Sequence, residues 1–270
     1  MRIAVCWKWV SLDREHELDE RWAGVSAADE AALEVALAVR DSVGTDTEVL
    51  VVGLGPSDAD DVLRSAVAAG ATGVCRIDAS TELDSGTVAT ALARQLGGVD
   101  LILCGDYSID RGTGSVPAFV AAELGLAQAL GLVEVGTAAP HGTAIRVVRR
   151  LDGGRREVLD VTLPAVLSVE GSVARLRRAP LAASLTARSV PVDVIPGPHG
   201  RPAESEIHPY RPRPRTLPAP AGDTLSRVRT ILDVGGAESH AETVTLEPAA
   251  AARRILEQLH EWGYLEEPVP

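Results

Sequence analysis

Aromatic residues are scarce in this chain: Phe, Trp and Tyr make up 3% of its 270 residues. A basic surface is missing as well, since the net charge is −12. Proteins that bind nucleic acid neutralise phosphates with basic side chains, and those that bind single strands stack bases on aromatic rings. Both deficits argue against a nucleic-acid partner, and they leave Ala, Val and Leu to build the core.

Paired cysteines and long apolar runs are missing too. Cys6, Cys75 and Cys104 are odd in number, form no Cys-x-x-Cys motif and lie in apolar surroundings, which indicates buried thiols in a reducing compartment. The first ten residues become polar too soon for a signal peptide, and no apolar run reaches membrane-spanning length. We therefore expect a cytoplasmic protein without membrane insertion.

Recognisable arrangements of catalytic or metal-binding residues are also missing from the sequence. None of the six histidines has a companion acid and nucleophile at the spacing of a triad, and no cluster has the spacing of metal ligands. The acidic group Asp58, Asp60 and Asp61 fits the first turn of a helix, where carboxylates favour the helix dipole. We predict no catalytic side chains and no metal site.

Apolar runs alternate with amphipathic stretches through the first half of the chain. Strands are predicted at 3–10, 49–54, 73–77 and 101–104. Helices are predicted from the N-cap Ser26 to Arg40, with Gly44 as the closing residue, from a capping box at Ser57 to Gly70, through 88–98, and over 116–124. This alternation predicts an α/β fold with an open, doubly wound, mostly parallel sheet, in which residues 6–9 and 105–115 line one crevice if the first and fourth strands are neighbours.

The pattern changes after residue 132. Strands at 132–135, 143–151 and 157–169, with a turn at Asp152-Gly153-Gly154, predict an antiparallel excursion. Residues 196–222 are rich in Pro, Arg and Gly, which is typical of an extended arm, and 247–262 return to helical periodicity. We divide the chain into a domain at 1–195 and a C-terminal arm with a helix at 196–270.

The loop after the fourth predicted strand is the most informative segment. Backbone N–H groups of a small-residue loop and of a helix start face phosphates readily, and glycine permits close approach. The spacing matches neither the P-loop nor the GxGxxG pattern, and a plain strand–helix connection is the alternative. Backbone donors from Gly112 to Val116 would meet the phosphate, while Asp110 would orient the loop or accept a hydrogen bond from a ribose hydroxyl. The candidate ligand-binding residues of this segment are Gly105, Asp110, Gly112, Thr113, Gly114, Ser115 and Val116.

Several segments together resemble the beta subunit of electron transfer flavoproteins across almost the whole chain. The matching positions include Val5 and Lys8, Ser26 with Asp29 and Glu30, Gly55-Pro56, Leu63-Arg64 and Gly70-Ala71. The most specific match, to the family signature, comprises Val147, Arg149, Asp152, Gly153, Gly154, Glu157, Leu159, Pro164, Val166, Leu167 and Val169. The nucleotide loop departs from the family, because Arg111 and Gly112 stand where acids are usual and Val116-Pro117 replaces Thr-Gly. The loop resembles a divergent actinobacterial branch associated with mycofactocin redox systems.

The resemblance implies an electron carrier and not an enzyme. The beta subunit would pair with an alpha subunit and share one FAD with it. It would itself hold AMP, or a second FAD in electron-bifurcating relatives, in a Rossmann-like adenine-nucleotide site. Electrons would pass from dehydrogenases to a downstream acceptor. Leu181, within 173–183, stands where the family anchors its dehydrogenases, although an ordinary core leucine is the alternative.

Five further residues are candidates for cofactor contact, each with a plainer alternative. Cys6 lies where the family's first strand meets adenosine, but a core thiol fits equally well. Lys8 would offset phosphate or flavin charge, or be an exposed strand-end lysine. Ser26 and Asp29 reach toward the nucleotide but also suit helix capping, and Gly55 would turn beside the ligand.

A free-standing adenine-nucleotide-binding regulator of the universal-stress-protein type is the alternative function. Such a protein would share the sheet but should lack the antiparallel excursion and the arm. An ATP-pyrophosphatase-like ligase needs a Ser-Gly-Gly loop after the first strand, where this chain has Lys8-Trp9-Val10.

Overall fold

The chain folds around a mostly parallel sheet. The structure is a computed structural model that describes residues 1–11, 23–44, 46–136, 143–198, 222–232 and 245–261. Its contacts divide the chain into two units, Met1–Glu206 and Ile207–Pro270. The strands are β1 Arg2–Lys8, β2 Val10–Ser11, β3 Ala23–Gly24, β4 Glu48–Gly55, β5 Gly73–Asp78, β6 Leu101–Gly105, β7 Ala127–Val135, β8 Ala144–Arg150, β9 Arg156–Thr162, β10 Ala165–Val169 and β11 Asp193–Pro196. The helices are α1 Ala27–Val43, α2 Asp60–Ala69, α3 Ser85–Ala93, α4 Val116–Leu124, α5 Leu181–Ala187, α6 Thr224–Leu232 and α7 Pro248–Glu261.

Among the described residues, nine strands form one sheet in the order β11-β5-β4-β1-β6-β10-β7-β8-β9. All neighbours from β11 to β7 are parallel, and β8 and β9 add an antiparallel hairpin to β7. The strand order reverses at β1, which lies between β4 and β6. The predicted adjacency of the first and fourth strands is therefore confirmed.

Two apolar clusters cover the two faces of the sheet. Alternate residues of β1 point to opposite sides, so Val5 joins the cluster that contains α1 and α2, whereas Ala4 joins the cluster that contains α3 and α4. Both clusters consist almost entirely of aliphatic side chains, as the scarcity of aromatics predicted. Helices on both faces confirm the doubly wound α/β fold.

The predicted start of α1 is confirmed, whereas the predicted start of α2 is wrong. Ser26 caps α1, and its Oγ accepts a hydrogen bond from the Asp29 N–H over 3.0 Å. The capping box at Ser57 is wrong, because Ser57 begins a tight 3-10 turn and α2 starts only at Asp60 without a side-chain cap. The proline of Gly55-Pro56 leads the chain directly into this turn.

Three other predicted bounds differ from the structure. The helix expected to run to residue 98 ends at Ala93, since tight turns replace it, although Leu96 remains buried. The strand β7 starts at Ala127 instead of 132, because its first half pairs with β10. The segment 157–169 is two strands, β9 and β10, separated at Pro164, which has no N–H for a ladder.

The second unit contains α6 and α7, and the helix predicted at 247–262 is confirmed by α7. Most of the predicted extended arm, 199–221, lies outside the described residues. The domain boundary at 195 stays a prediction. In the described ranges, no helix combines the length and the apolar character needed to cross a membrane.

The end of β6 packs tightly against the start of α1. A Cβ atom on Gly105 would lie 2.8 Å from the Asp29 nitrogen and 3.0 Å from the Ala28 carbonyl carbon. Real Cβ atoms do not approach backbone so closely, so only glycine lets the helix start rest on this strand end. This contact sets where the first helix enters the sheet.

We expect Gly105→Ala to lower the free energy of unfolding by about 1–3 kcal/mol, because backbone must move to admit the methyl group. Gly97→Ala is the control, since its Cβ would meet nothing within 4 Å. That change should be neutral, or stabilise by up to about 1 kcal/mol. Urea unfolding of the two variants beside the parent measures both values. Equal stabilities for the two variants would contradict the close approach.

Candidate functional site

A cleft lies at the carboxyl ends of the central strands, where the strand order reverses. Ligands of open α/β sheets bind at this position. The cleft encloses about 850 Å³, counted out to open solvent, and its walls come from the ends of β1, β4 and β6 and from the starts of α1, α3 and α4. Seven of the predicted site residues line it: Cys6, Lys8, Asp29, Thr113, Gly114, Ser115 and Val116.

The loop after β6 presents unpaired backbone donors to the cleft. Within the described residues, the N–H groups of residues 113–116 have no hydrogen-bond acceptor. Gly112 and Gly114 have φ of 61° and 59°, and a Cβ on Gly114 would collide with the Asp106 carbonyl oxygen. The left-handed conformation and the tight contact both require glycine at Gly114. The loop therefore forms a concave row of donors that suits an anion.

The three helices that begin at the cleft differ in their N-termini. Ser26 caps α1, whose first turn also carries two acidic residues. Asp84 caps α3, and hydrogen bonds from Thr87 hold the pKa of this carboxyl below its usual range, so that helix start faces a carboxylate. The helix α4 has neither a side-chain cap nor an acid in its first turn. Of the three, α4 alone leaves its positive end open to a ligand.

Lys8, the only lysine in the sequence, is bound to the loop. Its Nζ lies 2.7 Å from both carboxylate oxygens of Asp110 and 3.3 Å from the Ser108 Oγ. Although partial burial opposes it, the hydrogen bonds from Lys8 and Ser108 hold the pKa of the Asp110 carboxyl well below its usual range. The pair ties the end of β1 to the loop and neutralises the lysine charge.

Asp29 lies in the floor of the cleft and is buried. Its carboxylate accepts a 3.4 Å hydrogen bond from the Lys8 N–H, and its carbonyl oxygen accepts one of 2.7 Å from the Trp7 Nε1–H. Burial raises the pKa of Asp29 to about 7, although hydrogen bonds from Ser26 and from backbone N–H groups oppose this rise. Near neutral pH a substantial fraction of this carboxyl is therefore uncharged.

Two thiols lie side by side beneath Asp29. Cys6 on β1 is in register with Cys104 on β6, and both line the cleft while remaining buried. Hydrogen bonding with Cys6, together with burial, raises the pKa of the Cys104 thiol. Cys104 therefore behaves as a small apolar floor residue and not as a nucleophile.

The apolar wall of the cleft includes residues that sequence reasoning missed. The missed residues are Leu83, Val88 and Leu92, which form the wall together with Leu54 and with Trp9 of the predicted crevice segment 6–9. Leu83 and the α3 residues follow β5, whose carboxyl end lies at the same edge of the sheet as those of β1 and β6. Ligands of open parallel sheets bind at the carboxyl ends of the strands, and applying this rule to the third predicted strand as well would have found this wall.

Arg111 is a further cleft residue that was noted only as a departure from the family. Its Nη1–H donates a 2.8 Å hydrogen bond to the Leu83 carbonyl oxygen, so the side chain spans from the loop to the opposite wall. Within the described part of the chain, no carboxylate forms an ion pair with it.

The other predicted site residues surround the cleft without lining it. The Ser26 Oγ donates to the Tyr107 carbonyl oxygen over 3.1 Å, and Gly105 lies against Asp29. Gly55 ends β4 beside Trp9. Leu181 is elsewhere: it begins α5 with 75% of its surface exposed, which removes the core-leucine alternative. Among the described residues, no group of His, Cys, Asp and Glu could hold a metal ion.

The raised pKa of Asp29 predicts a pH-dependent stability. The native state holds the proton more tightly than the unfolded chain, so the free energy of unfolding falls as pH rises from about 4 to about 7. Asn cannot ionise, so Asp29→Asn should be more stable than the parent at pH 8 by about 2–4 kcal/mol, and close to it at pH 4.

Urea unfolding at both pH values measures this difference. Glu30→Gln is the control, because Glu30 is the exposed neighbour in the same helical turn. Its neutralisation removes a favourable interaction with the helix dipole and should cause a small loss of stability. A parent protein that is as stable as Asp29→Asn at pH 8 would contradict the assignment.

Comparison with known proteins identifies the family to which this chain belongs. Residues 18–198 match the electron transfer flavoprotein domain. The chain is 33% identical to the protein FixA of Azorhizobium caulinodans over 58% of either chain. It is 32% identical to the electron transfer flavoprotein subunit beta of Syntrophomonas wolfei over 62% of this chain and 66% of that one. It is 35% identical to the subunit of the same name from Mycobacterium tuberculosis over 53% of this chain and 56% of that one.

The chain thus matches between about half and two thirds of the length of these relatives. The family match begins after β1 and β2, and it covers the strands β3 to β11, the hairpin of β8 and β9 among them, and the cleft residues from Asp29 onwards. The chain belongs to the electron transfer flavoprotein family, as a protein of the beta-subunit type.

Proposed function

We propose that this chain is the beta subunit of an electron transfer flavoprotein and holds AMP in the cleft. Membership of the family supports the carrier role. The open N-terminus of α4, beside the unpaired N–H groups of residues 113–116, is the observation that carries the nucleotide site. Its partner would be an alpha subunit, with which it shares one FAD.

The phosphate of AMP lies at the start of α4 in this proposal. Donors come from the backbone of 113–116 and from the hydroxyl groups of Thr113 and Ser115, which lie 3.1 Å apart at the cleft. A phosphate there accepts hydrogen bonds that no protein group now uses, and it faces the positive end of the helix dipole. The starts of α1 and α3 are unsuitable because carboxyl groups stand near them.

The adenosine part occupies the apolar half of the cleft. Leu83, Val88 and Leu92 offer a flat aliphatic wall, and Cys6 forms part of the floor. Binding pockets commonly combine such apolar walls with a few placed polar groups. Asp29, Thr81 and Ser85 are polar residues of the cleft lining outside the loop.

Lys8 and Asp110 act together in this proposal. Their ion pair joins the first strand to the loop and holds the donors of residues 113–116 in place. Ser26 supports the same loop from behind, through the Tyr107 carbonyl. These residues therefore act on the nucleotide through the position of the loop.

The flavin, when bound with the alpha subunit, supplies the one- and two-electron chemistry. The beta-type chain supplies a position and a docking surface. Leu181 and Leu185 project from α5 with 75% and 55% of their surfaces exposed, and we propose that dehydrogenases dock there. Exposed leucines side by side on a short helix are typical of a contact surface.

A free-standing nucleotide-binding regulator is less well supported. The cleft is complete within the first unit, so nucleotide binding alone requires no partner. However, the antiparallel strands β8 and β9, which a regulator of that type should lack, are present.

Co-expression with the candidate alpha subunit tests the proposed function. We expect a yellow heterodimer that releases one FAD and one AMP on denaturation, measured by visible spectroscopy and chromatography. Two FAD per heterodimer would place a flavin in this cleft instead of AMP. A colourless monomer with bound ATP would contradict the proposal in favour of the regulator.

Gly114→Ala tests the phosphate position. The methyl group would collide with the Asp106 carbonyl oxygen and force the loop to move. AMP affinity, measured by calorimetry on the folded variant, should fall at least about tenfold, the equivalent of one lost hydrogen bond to a charged group.

Gly125→Ala is the matched control. Gly125 has a similar φ of 64°, but its Cβ would meet nothing within 4 Å, and it lies at the far end of α4. It imposes a comparable backbone strain without moving the loop. Unchanged AMP affinity in Gly114→Ala, or an equal loss in both variants, would argue against a phosphate at the loop.

A further inference from the structure

Arg111 is a cation of the cleft that forms no ion pair with any described residue. Its guanidinium lines the cleft and makes one hydrogen bond, to the neutral carbonyl of Leu83. Lys8, the other cation there, is neutralised by Asp110 at 2.7 Å. Guanidinium groups bind phosphate oxygens well because several N–H donors diverge from one plane. Among the described residues, only one donor of Arg111 has an acceptor.

The position of Arg111 relates it to the proposed phosphate. It belongs to the same loop as the free N–H groups of residues 113–116, and its side chain reaches the wall that carries Leu83. It therefore spans the cleft between the row of backbone donors and the start of α3. A phosphate at the start of α4 would lie beside an arginine anchored at both ends.

We propose that Arg111 is the specificity residue that selects a ligand with about two negative phosphate charges. This inference rests on the proposed function, and it goes further by assigning the selection to one residue of this chain. Discrimination against the uncharged nucleoside comes from the guanidinium, and discrimination against ATP from the lack of a second free cation among the described cleft residues.

A charge balance supports this selection. The Lys8–Asp110 pair is neutral, Arg111 contributes one positive charge, and the start of α4 contributes roughly half a charge more. Burial raises the pKa of Asp29 to about 7, which reduces its negative charge near neutral pH. A phosphate monoester, with a charge of about −1.5 to −2 at pH 7, comes closer to balancing this net positive charge than a triphosphate does. The longer phosphate chain of ATP would leave negative charge unmatched.

Calorimetric titration of the purified chain with adenosine, AMP and ATP tests the assignment. The parent should bind AMP at least about tenfold more tightly than adenosine, and more tightly than ATP. In Arg111→Gln the advantage of AMP over adenosine should shrink to about threefold or less, while adenosine affinity stays the same. Arg111→Lys should restore part of the advantage, because lysine offers a point charge without the planar donors.

Arg155→Gln is the matched control. Arg155 also makes a single side-chain hydrogen bond to a backbone carbonyl, that of Asp152, but it lies in the turn between β8 and β9 and does not line the cleft. Its removal should leave all three affinities unchanged. The control separates loss of charge in the cleft from loss of charge anywhere on this acidic protein.

The possible results are separable. Equal losses of AMP and adenosine affinity in Arg111→Gln would show a structural role through Leu83 and overturn the inference, as would ATP binding as tightly as AMP. Unchanged AMP affinity in Arg111→Gln would overturn it while leaving the nucleotide site intact. A parent that binds none of the three ligands would instead overturn the proposed function, and the inference with it.

Discussion

The contact between Gly105 and Asp29 is the constraint on which the cleft depends. The end of β6 can approach the start of α1 only because Gly105 has no side chain. The approach brings Asp29 beneath the cleft, where its backbone and carboxylate receive hydrogen bonds from Trp7 and Lys8 at the end of β1. The ends of β1 and β6 and the start of α1 are thereby held in one arrangement. This arrangement sets the position from which the loop after β6 begins.

Electrostatic balance in the cleft follows from this arrangement. A fully ionised carboxylate in the floor would repel an anion, but burial raises the pKa of Asp29 to about 7 and weakens that repulsion. Lys8 is paired with Asp110 and stabilises the loop, whereas Arg111 has no acidic partner among the described residues. In the proposed nucleotide site the two cations therefore have different tasks: one positions the donors, and the other contributes charge. Only the structure reveals this division, because both are simply basic residues in the sequence.

The sequence predicted the strand–helix alternation, the doubly wound sheet and the crevice between β1 and β6, because buried strands and capped helices leave clear local patterns. It failed where distant contacts decide the outcome. Ser57 has the sequence of a cap, yet the turn after Pro56 delays the helix. The first half of β7 lacks a strand pattern and is extended because it pairs with β10. The wall at Leu83 and the pairing of Lys8 with Asp110 depend on segments far apart in sequence.

The separation of the cleft from Leu181 bears on what the nucleotide does. The cleft lies at the carboxyl ends of the sheet, and its lining includes no residue of α5. A nucleotide bound there would satisfy the free N–H groups of residues 113–116 and stabilise the native state in proportion to its affinity, without taking part in electron transfer. In the proposed role of an electron-carrier subunit, this ligand would act as a structural component of the fold. The bound nucleotide would hold the loop in one conformation. Through Lys8 and Asp29 it would also hold the ends of the central strands.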